Sequence, residues 1–145
     1  MTLIGLEFYK VDRKSTTGFI IRFIGNAIYW KSRKQSSVTK SSAAEYVALS
    51  EAVSEIKFVK KLLKNFKIMI ERPIKIFEDN SGAIAISKYG NLRKNSEYIE
   101  VHFHFVNEGY ENKEIDIIKV DSENNVADIL TKALGRNKFE NFRLL

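Results

Sequence analysis

The sequence predicts an α/β fold in which a sheet is covered by helices, and two observations lead to this class. The first third of the chain alternates short apolar segments with turn residues, a pattern typical of strands. From Ala43 onward apolar residues instead recur at three- and four-residue steps, and strand-like and helix-like segments then follow one another to the end. This order is typical of a mixed sheet packed against helices.

Composition indicates one folded domain spanning residues 1–145. Hydrophobic residues make up 44% of the chain and charged residues 29%, which is ordinary for a globular protein. There is no cysteine and there are two histidines, so disulfides, thiolate metal sites and a cysteine nucleophile are excluded. A metal would therefore have to be bound mainly by carboxylates.

The charge balance bears on possible partners. The formal net charge is +6, a sign that favours polyanions such as nucleic acids, although many domains are basic for no special reason. No apolar run approaches the ~20 residues that would span a bilayer, and the first residues lack a signal-peptide pattern. We therefore expect an intracellular protein with no membrane partner.

The individual elements follow from local patterns. We expect strands at residues 3–9, 16–23 and 27–30, with a turn at Gly25 and Asn26, and later strands at 74–77 and 115–120. A long helix with possible caps at Ser41 and Ser42 should run to about Phe66. Further helices are predicted after Asp79 and over 126–134, and the period-two pattern of 99–105 by itself suggests a strand.

Three acidic residues occupy positions where a site could form. Asp79 follows a short strand, Glu45 lies in the first turn of the long helix, and Asp128 comes early in the last helix. Ligands of open α/β sheets collect beyond the carboxyl ends of strands. Each residue also has a structural alternative: Asp79 as a helix cap, Glu45 as a partner of the helix dipole, and Asp128 as a solvated charge.

The sequence around these acids resembles a known family across Asp12 to Leu145. The matching stretches are DRKSTTGF at 12–19, AIYWKSRKQSSV at 27–38, AEYVALSEA at 44–52, EDNSGAI at 78–84 and ADILTK at 127–132. Together and in this order they resemble the ribonuclease H domain of copia-type retrotransposons, which follows the reverse transcriptase in the polyprotein.

The resemblance implies a ribonuclease H-like fold, with a mixed five-stranded sheet, helices on both faces, and a helix rather than a strand over 98–108. It implies hydrolysis of the RNA strand of an RNA–DNA hybrid, with the reverse transcriptase domain as a further partner and a cytoplasmic retrotransposon particle as the location. In that reaction four carboxylates hold two Mg²⁺ ions, or possibly Mn²⁺, which activate water and stabilise the leaving oxygen. Glu45, Asp79 and Asp128 match three of these ligands.

The fourth ligand of the family, an Asp on the first strand, has no counterpart here. The first strand is apparently shortened, and Glu7 is the nearest acidic substitute. A deletion of odd length would turn side chains to the other face of the strand. A catalytically inactive domain that keeps the fold and weak nucleic-acid binding is therefore the alternative function, and a protein-interaction scaffold is a third.

Basic residues near the early strands and in the loop after residue 90 could contact phosphates of a nucleic acid. These candidates are Arg13, Lys14, Arg33, Lys34, Arg93 and Lys94. For the later loop, a solvated surface is an equally good interpretation.

Overall fold

The computed structural model describes residues 2–4, 16–35, 41–70, 73–89 and 97–144. The strands in these ranges are β1 (Thr2–Ile4), β2 (Thr16–Phe23), β3 (Asn26–Lys34), β4 (Ile74–Glu78) and β5 (Ile115–Lys119). The α-helices are α1 (Ser41–Asn65), α2 (Ser81–Tyr89), α3 (Glu97–Glu111), α4 (Asp128–Thr131) and α5 (Arg136–Arg143), and a 3-10 helix spans Ser122–Asn124.

The described strands pair into one mixed sheet, in the order β3-β2-β1-β4-β5. The pairs β1–β2 and β2–β3 are antiparallel, whereas β4 runs parallel to both β1 and β5. The predicted α/β class is therefore confirmed. The short β1 joins the antiparallel half of the sheet to the parallel half.

The two faces of β2 pack against different helices, because successive side chains of a strand point in opposite directions. Phe19 and Ile21 are fully buried in the core formed with α1. Gly18 faces the other way, and a Cβ placed there would lie 2.3 Å from Cγ2 of Thr131 and 3.1 Å from Cβ of Leu130, both in α4. Helix α4 therefore lies directly against the strand backbone at a point where only glycine fits.

Helix α1 supplies the largest part of the core. The predicted apolar residues that are buried are Ala44, Val47, Ala48, Ala52, Val53, Ile56 and Val59. The predicted apolar stripe continues to Leu62 and Phe66, but these side chains are exposed. Only part of the C-terminal end of the helix therefore extends past the core, because Val59 is buried and Leu63 packs against the core.

Two local predictions are corrected. The turn between β2 and β3 consists of Ile24 and Gly25, both at positive φ, and Asn26 already belongs to β3. This backbone suits a two-residue hairpin, although a β-branched residue rarely adopts it. The strand suggested by the pattern of 99–105 is wrong: these residues lie inside α3, as the family resemblance implied.

The helix predicted over 126–134 is also wrong in its bounds. Only Asp128–Thr131 is helical there, and Lys132 is already extended, with φ −131° and ψ 152°. Gly135, which appeared to end one helix, instead precedes α5 with φ −60° and ψ 150°. The single turn of α4 packs closely on Gly18, a contact between distant parts of the sequence that no local pattern reveals.

Among the described residues no helix is long and apolar enough to cross a membrane.

Candidate metal centre

The end of β4 presents Asp79 without using it as a helix cap. Asn80 takes that role, since its Oδ1 accepts a hydrogen bond of 2.9 Å from the backbone N–H of Ala83 at the start of α2. Asn80 therefore caps the helix, and the main structural alternative for Asp79, a role as helix cap, does not apply. Asp79 is left half-buried at the carboxyl end of a parallel strand, where α/β sheets place ligand sites.

Glu78 is an acidic residue of this region that sequence reasoning missed. It continues the inward face of β4 after Ile74 and Ile76, and it is completely buried. Its Oε1 accepts a hydrogen bond of 2.9 Å from the backbone N–H of Asn80, whereas Oε2 has no hydrogen-bond partner among the described residues. Burial, together with the charges of Asp79 and Glu45, raises the pKa of Glu78 well above its ordinary value.

Glu45 approaches the same point from α1. Its side chain is 8% exposed, so it does not merely serve the helix dipole from the surface. Within the described ranges its Oε2 has no hydrogen-bond partner. Burial and, secondarily, the charge of Asp79 raise its pKa from 4.5 to about 8. Glu45 on α1 and the pair Glu78 and Asp79 at the end of β4 therefore form one electrostatic group, in which their charges interact.

Asp128 is buried rather than solvated, and its two oxygens differ. Oδ2 lies 3.1 Å from Nζ of Lys138 and 3.5 Å from Nζ of Lys132, while no described residue forms a hydrogen bond with Oδ1. Burial and the nearby charge of Lys138 lower the pKa of Lys132. Two ammonium groups therefore share one oxygen of a fully buried carboxylate.

These acids suit a hard divalent cation in their chemistry, because Mg²⁺ and Mn²⁺ prefer carboxylate oxygens. The unpaired buried oxygens of Glu45, Glu78 and Asp128 are the specific sign, since such atoms are normally satisfied. Within the ranges that the structure describes, however, no three Asp, Glu or His side chains converge closely enough to hold one ion. Glu7, the candidate for the missing first-strand ligand, lies outside those ranges.

The predicted phosphate-contacting residues are only partly described. Arg13, Lys14, Arg93 and Lys94 lie outside the described residues. Arg33 is exposed on β3 but forms a short ion pair with Glu51 of α1. Lys34 ends β3 with an exposed side chain, opposite Thr16. Arg33 would have to exchange an internal partner for a phosphate.

Solved structures with a similar fold are ribonucleases H. The chain superposes on LC11-RNase H1 in complex with an RNA/DNA hybrid with a TM-score of 0.64 at 16% identity, covering 89% of this chain and 91% of that one. The N-terminal RNase H domain of rv2228c from Mycobacterium tuberculosis gives a TM-score of 0.65 at 9% identity, covering 99% and 95%. The fold is therefore that of ribonuclease H.

Sequence relatives narrow this class. The chain is 33% identical over 130 residues to the retrovirus-related Pol polyprotein from transposon TNT 1-94 of Nicotiana tabacum, and 32% identical over 134 residues to that from transposon RE1 of Arabidopsis thaliana. The matches span 89% and 92% of this chain but only 10% and 9% of the polyproteins. No protein-family profile matches. The chain is thus a homologue of one segment of copia-type retrotransposon Pol polyproteins, as the sequence motifs indicated.

Proposed function

We propose that this chain is a metal-dependent endonuclease that hydrolyses the RNA strand of RNA–DNA hybrids. The observation that carries the proposal is the placement of Glu45 and Asp79, from separate elements, in one electrostatic group on a ribonuclease H fold. A solved neighbour with this fold binds an RNA/DNA hybrid. The reverse transcriptase of the same polyprotein would be the natural partner.

The acidic residues would hold Mg²⁺ or Mn²⁺, and the two-metal reaction needs them ionised. Glu45, Asp79 and Asp128 are the proposed ligands, with Glu7 as a possible fourth. Bound divalent ions would supply Lewis-acid activation of the attacking water and stabilisation of the leaving oxygen. The protein's own part is to hold carboxylates in a partly dehydrated setting. For Glu45, burial and the charge of Asp79 raise the pKa to about 8, so the empty site favours the protonated form of this side chain.

The basic candidates would meet the hybrid's phosphates. We propose this role for Arg13, Lys14, Arg33, Lys34, Arg93 and Lys94, because backbone neutralisation is sequence-independent and suits a nuclease without base readout. Substituting Arg33 also removes one of two cations that pair with Glu51, since Nζ of Lys31 lies 3.3 Å from its Oε2. The effect of the substitution therefore combines a lost phosphate contact with a weakened internal ion pair.

An inactive ribonuclease H-like domain that retains weak nucleic-acid binding is the second candidate. It is favoured by the absence, within the described ranges, of three acids that converge on one ion. Residues acting as a catalytic unit are strongly non-additive, so one missing ligand can cost several orders of magnitude in rate.

Cleavage of a labelled RNA–DNA hybrid in Mg²⁺ separates the two functions. We expect the full chain to cleave and Asp79→Asn to abolish cleavage, because the change keeps the shape but removes a charge that a cation needs. Asp116→Asn is the matched control, since Asp116 lies on the neighbouring strand β5, and it should retain activity. Hybrid binding without cleavage by the unsubstituted chain would establish the inactive domain, and equal cleavage by both variants would refute the site.

Glu7 is tested separately. If it replaces the missing Asp, Glu7→Gln weakens Mn²⁺ binding in a titration followed by electron paramagnetic resonance of the free ion. Unchanged affinity would exclude Glu7 from the site.

A further inference from the structure

The buried carboxylate of Asp128 is held on one side only. Oδ2 faces Nζ of Lys138 at 3.1 Å and Nζ of Lys132 at 3.5 Å, whereas the equally buried Oδ1 has no hydrogen-bond partner in the part of the chain that the structure describes. A side chain that were simply neutralised in the core would be expected to satisfy both oxygens. The two lysines therefore hold one oxygen of the carboxylate, while no described residue holds the other.

Lys138 is also well placed to orient this carboxylate. Its Nζ donates to the backbone oxygen of Ser122 at 3.1 Å, lies 3.7 Å from Oε2 of Glu123, and sits 5.4 Å from the centre of the Phe142 ring. The ammonium is therefore restrained by the 3-10 helix and by α5 as well as by Asp128. A flexible surface lysine would lack these restraints, and an ion pair with them can set the torsion of its partner.

We propose that Lys138, assisted by Lys132, is a positioning residue that grips Oδ2 of Asp128 and so presents Oδ1 to the divalent cation. The inference rests on the proposed function, in which Asp128 is a metal ligand. Ligating carboxylates in metal sites are commonly oriented by a second hydrogen-bonding partner, and removal of such a partner costs 10- to 100-fold in affinity. Lys138 lies on α5, a helix that sequence reasoning did not predict, which explains why it was not among the candidates.

The contacts between Asp128 and the two lysines have one alternative explanation. If the lysines instead substitute for the cation, Lys138 and the metal compete for Asp128, and removing Lys138 strengthens metal binding. The positioning role predicts the opposite sign. Metal affinity therefore distinguishes the two, whereas stability alone does not, because either role leaves a buried acid less well paired when Lys138 is lost.

The test is a Mn²⁺ titration of the full chain, with free Mn²⁺ measured by electron paramagnetic resonance. We expect Lys138→Met to weaken binding about 10- to 100-fold, and Lys138→Arg to restore much of it. Arg143→Met is the matched control: it removes a positive charge from the same helix, where Arg143 pairs only locally with Glu140 at 2.7 Å, and should change affinity less than about twofold.

A double variant ties the effect to Asp128. In the Asp128→Asn background, Lys138→Met should have no further effect on Mn²⁺ affinity, because the oriented ligand is already gone. Unchanged or tighter binding by Lys138→Met alone would overturn the positioning role while leaving the proposed function standing. Failure of the unsubstituted chain to bind Mn²⁺ would overturn both.

Discussion

Glu45, a proposed metal ligand, and its neighbour Glu78 are buried acids that lower the stability of the folded chain when they are ionised. Both are buried acids with pKa values raised in the folded chain, Glu45 to about 8. Between the unfolded value near 4.5 and the raised folded value, the folded chain binds more protons than the unfolded chain. The free energy of unfolding therefore falls as pH rises through this window.

We predict that the metal-free chain is less stable at pH 8 than at pH 5, as measured by urea unfolding across that range. Glu78→Gln removes the charge but keeps the size of the side chain, so it should flatten the pH dependence and stabilise the chain at pH 8. Glu111→Gln, an exposed substitution on α3, is the control and should leave the profile unchanged. A profile that rises toward pH 8 would contradict the raised pKa values.

For single residues, the sequence supplied candidates that stay predictions. Glu45, Asp79 and Asp128 were proposed from their surrounding motifs, and in the structure Asp79 lies close enough to Glu45 for its charge to raise the pKa of Glu45. Glu78 was missed because it precedes Asp79 and its orientation depends on the strand phase: after buried Ile74 and Ile76, position 78 must also point inward. The period-two alternation of β4 was visible in the sequence and could have identified it.

The packing of α4 on β2 is the contact between elements that positions Asp128. Gly18 leaves room for Thr131, and a methyl group at position 18 would overlap Cγ2 of Thr131. We predict that Gly18→Ala destabilises the chain by about 1–3 kcal/mol, the usual cost of overpacking. The same change should weaken Mn²⁺ binding, because α4 carries Asp128.

A second substitution tests whether overlap with Cγ2 of Thr131 causes the loss of stability in Gly18→Ala. Thr131→Ser removes Cγ2, so the Gly18→Ala/Thr131→Ser variant should recover much of the stability in thermal unfolding. Gly135→Ala is the control, since a Cβ there meets nothing within 4 Å. Additive losses in the double variant would show that the clash is not with this methyl group.

Other elements show where local patterns fail. The alternation of Ile99, Val101, Phe103 and Phe105 suggested a strand, yet tertiary packing makes this segment helical, with Phe103 stacked on Tyr46 of α1 and Val106 fully buried. Helix α5 was not predicted because Phe142 is its one buried residue, too few for an apolar pattern. Its main polar contact joins Lys138 to Asp128, which lies outside the helix. Such contacts leave no periodic signal.

For the whole molecule, the class of fold followed from the order of the elements, and the family from motifs spread along the chain. The sequence did not reveal how the acidic residues and a cluster of lysines are arranged relative to each other. The acids lie at the N-terminal part of α1 and the end of β4, whereas Lys57, Lys60, Lys61 and Lys64 line a groove with Ile68 and Met69 at the other end of α1. Lys60 is roughly 22 Å from Glu45 along the helix axis, at 1.5 Å per residue.

This separation makes a prediction about charge and binding. With a net charge of +6, the chain should bind an RNA–DNA hybrid with an affinity that falls linearly on a log–log plot against salt. Lysines remote from the acids should act on the rate of encounter rather than on the bound complex. Replacing Lys60, Lys61 and Lys64 by Gln should therefore slow association several-fold at low salt in stopped-flow measurements, while the slope of the salt plot stays the same. A slope reduced by roughly three would show that these lysines contact phosphates directly, since each lost contact removes about one released counterion.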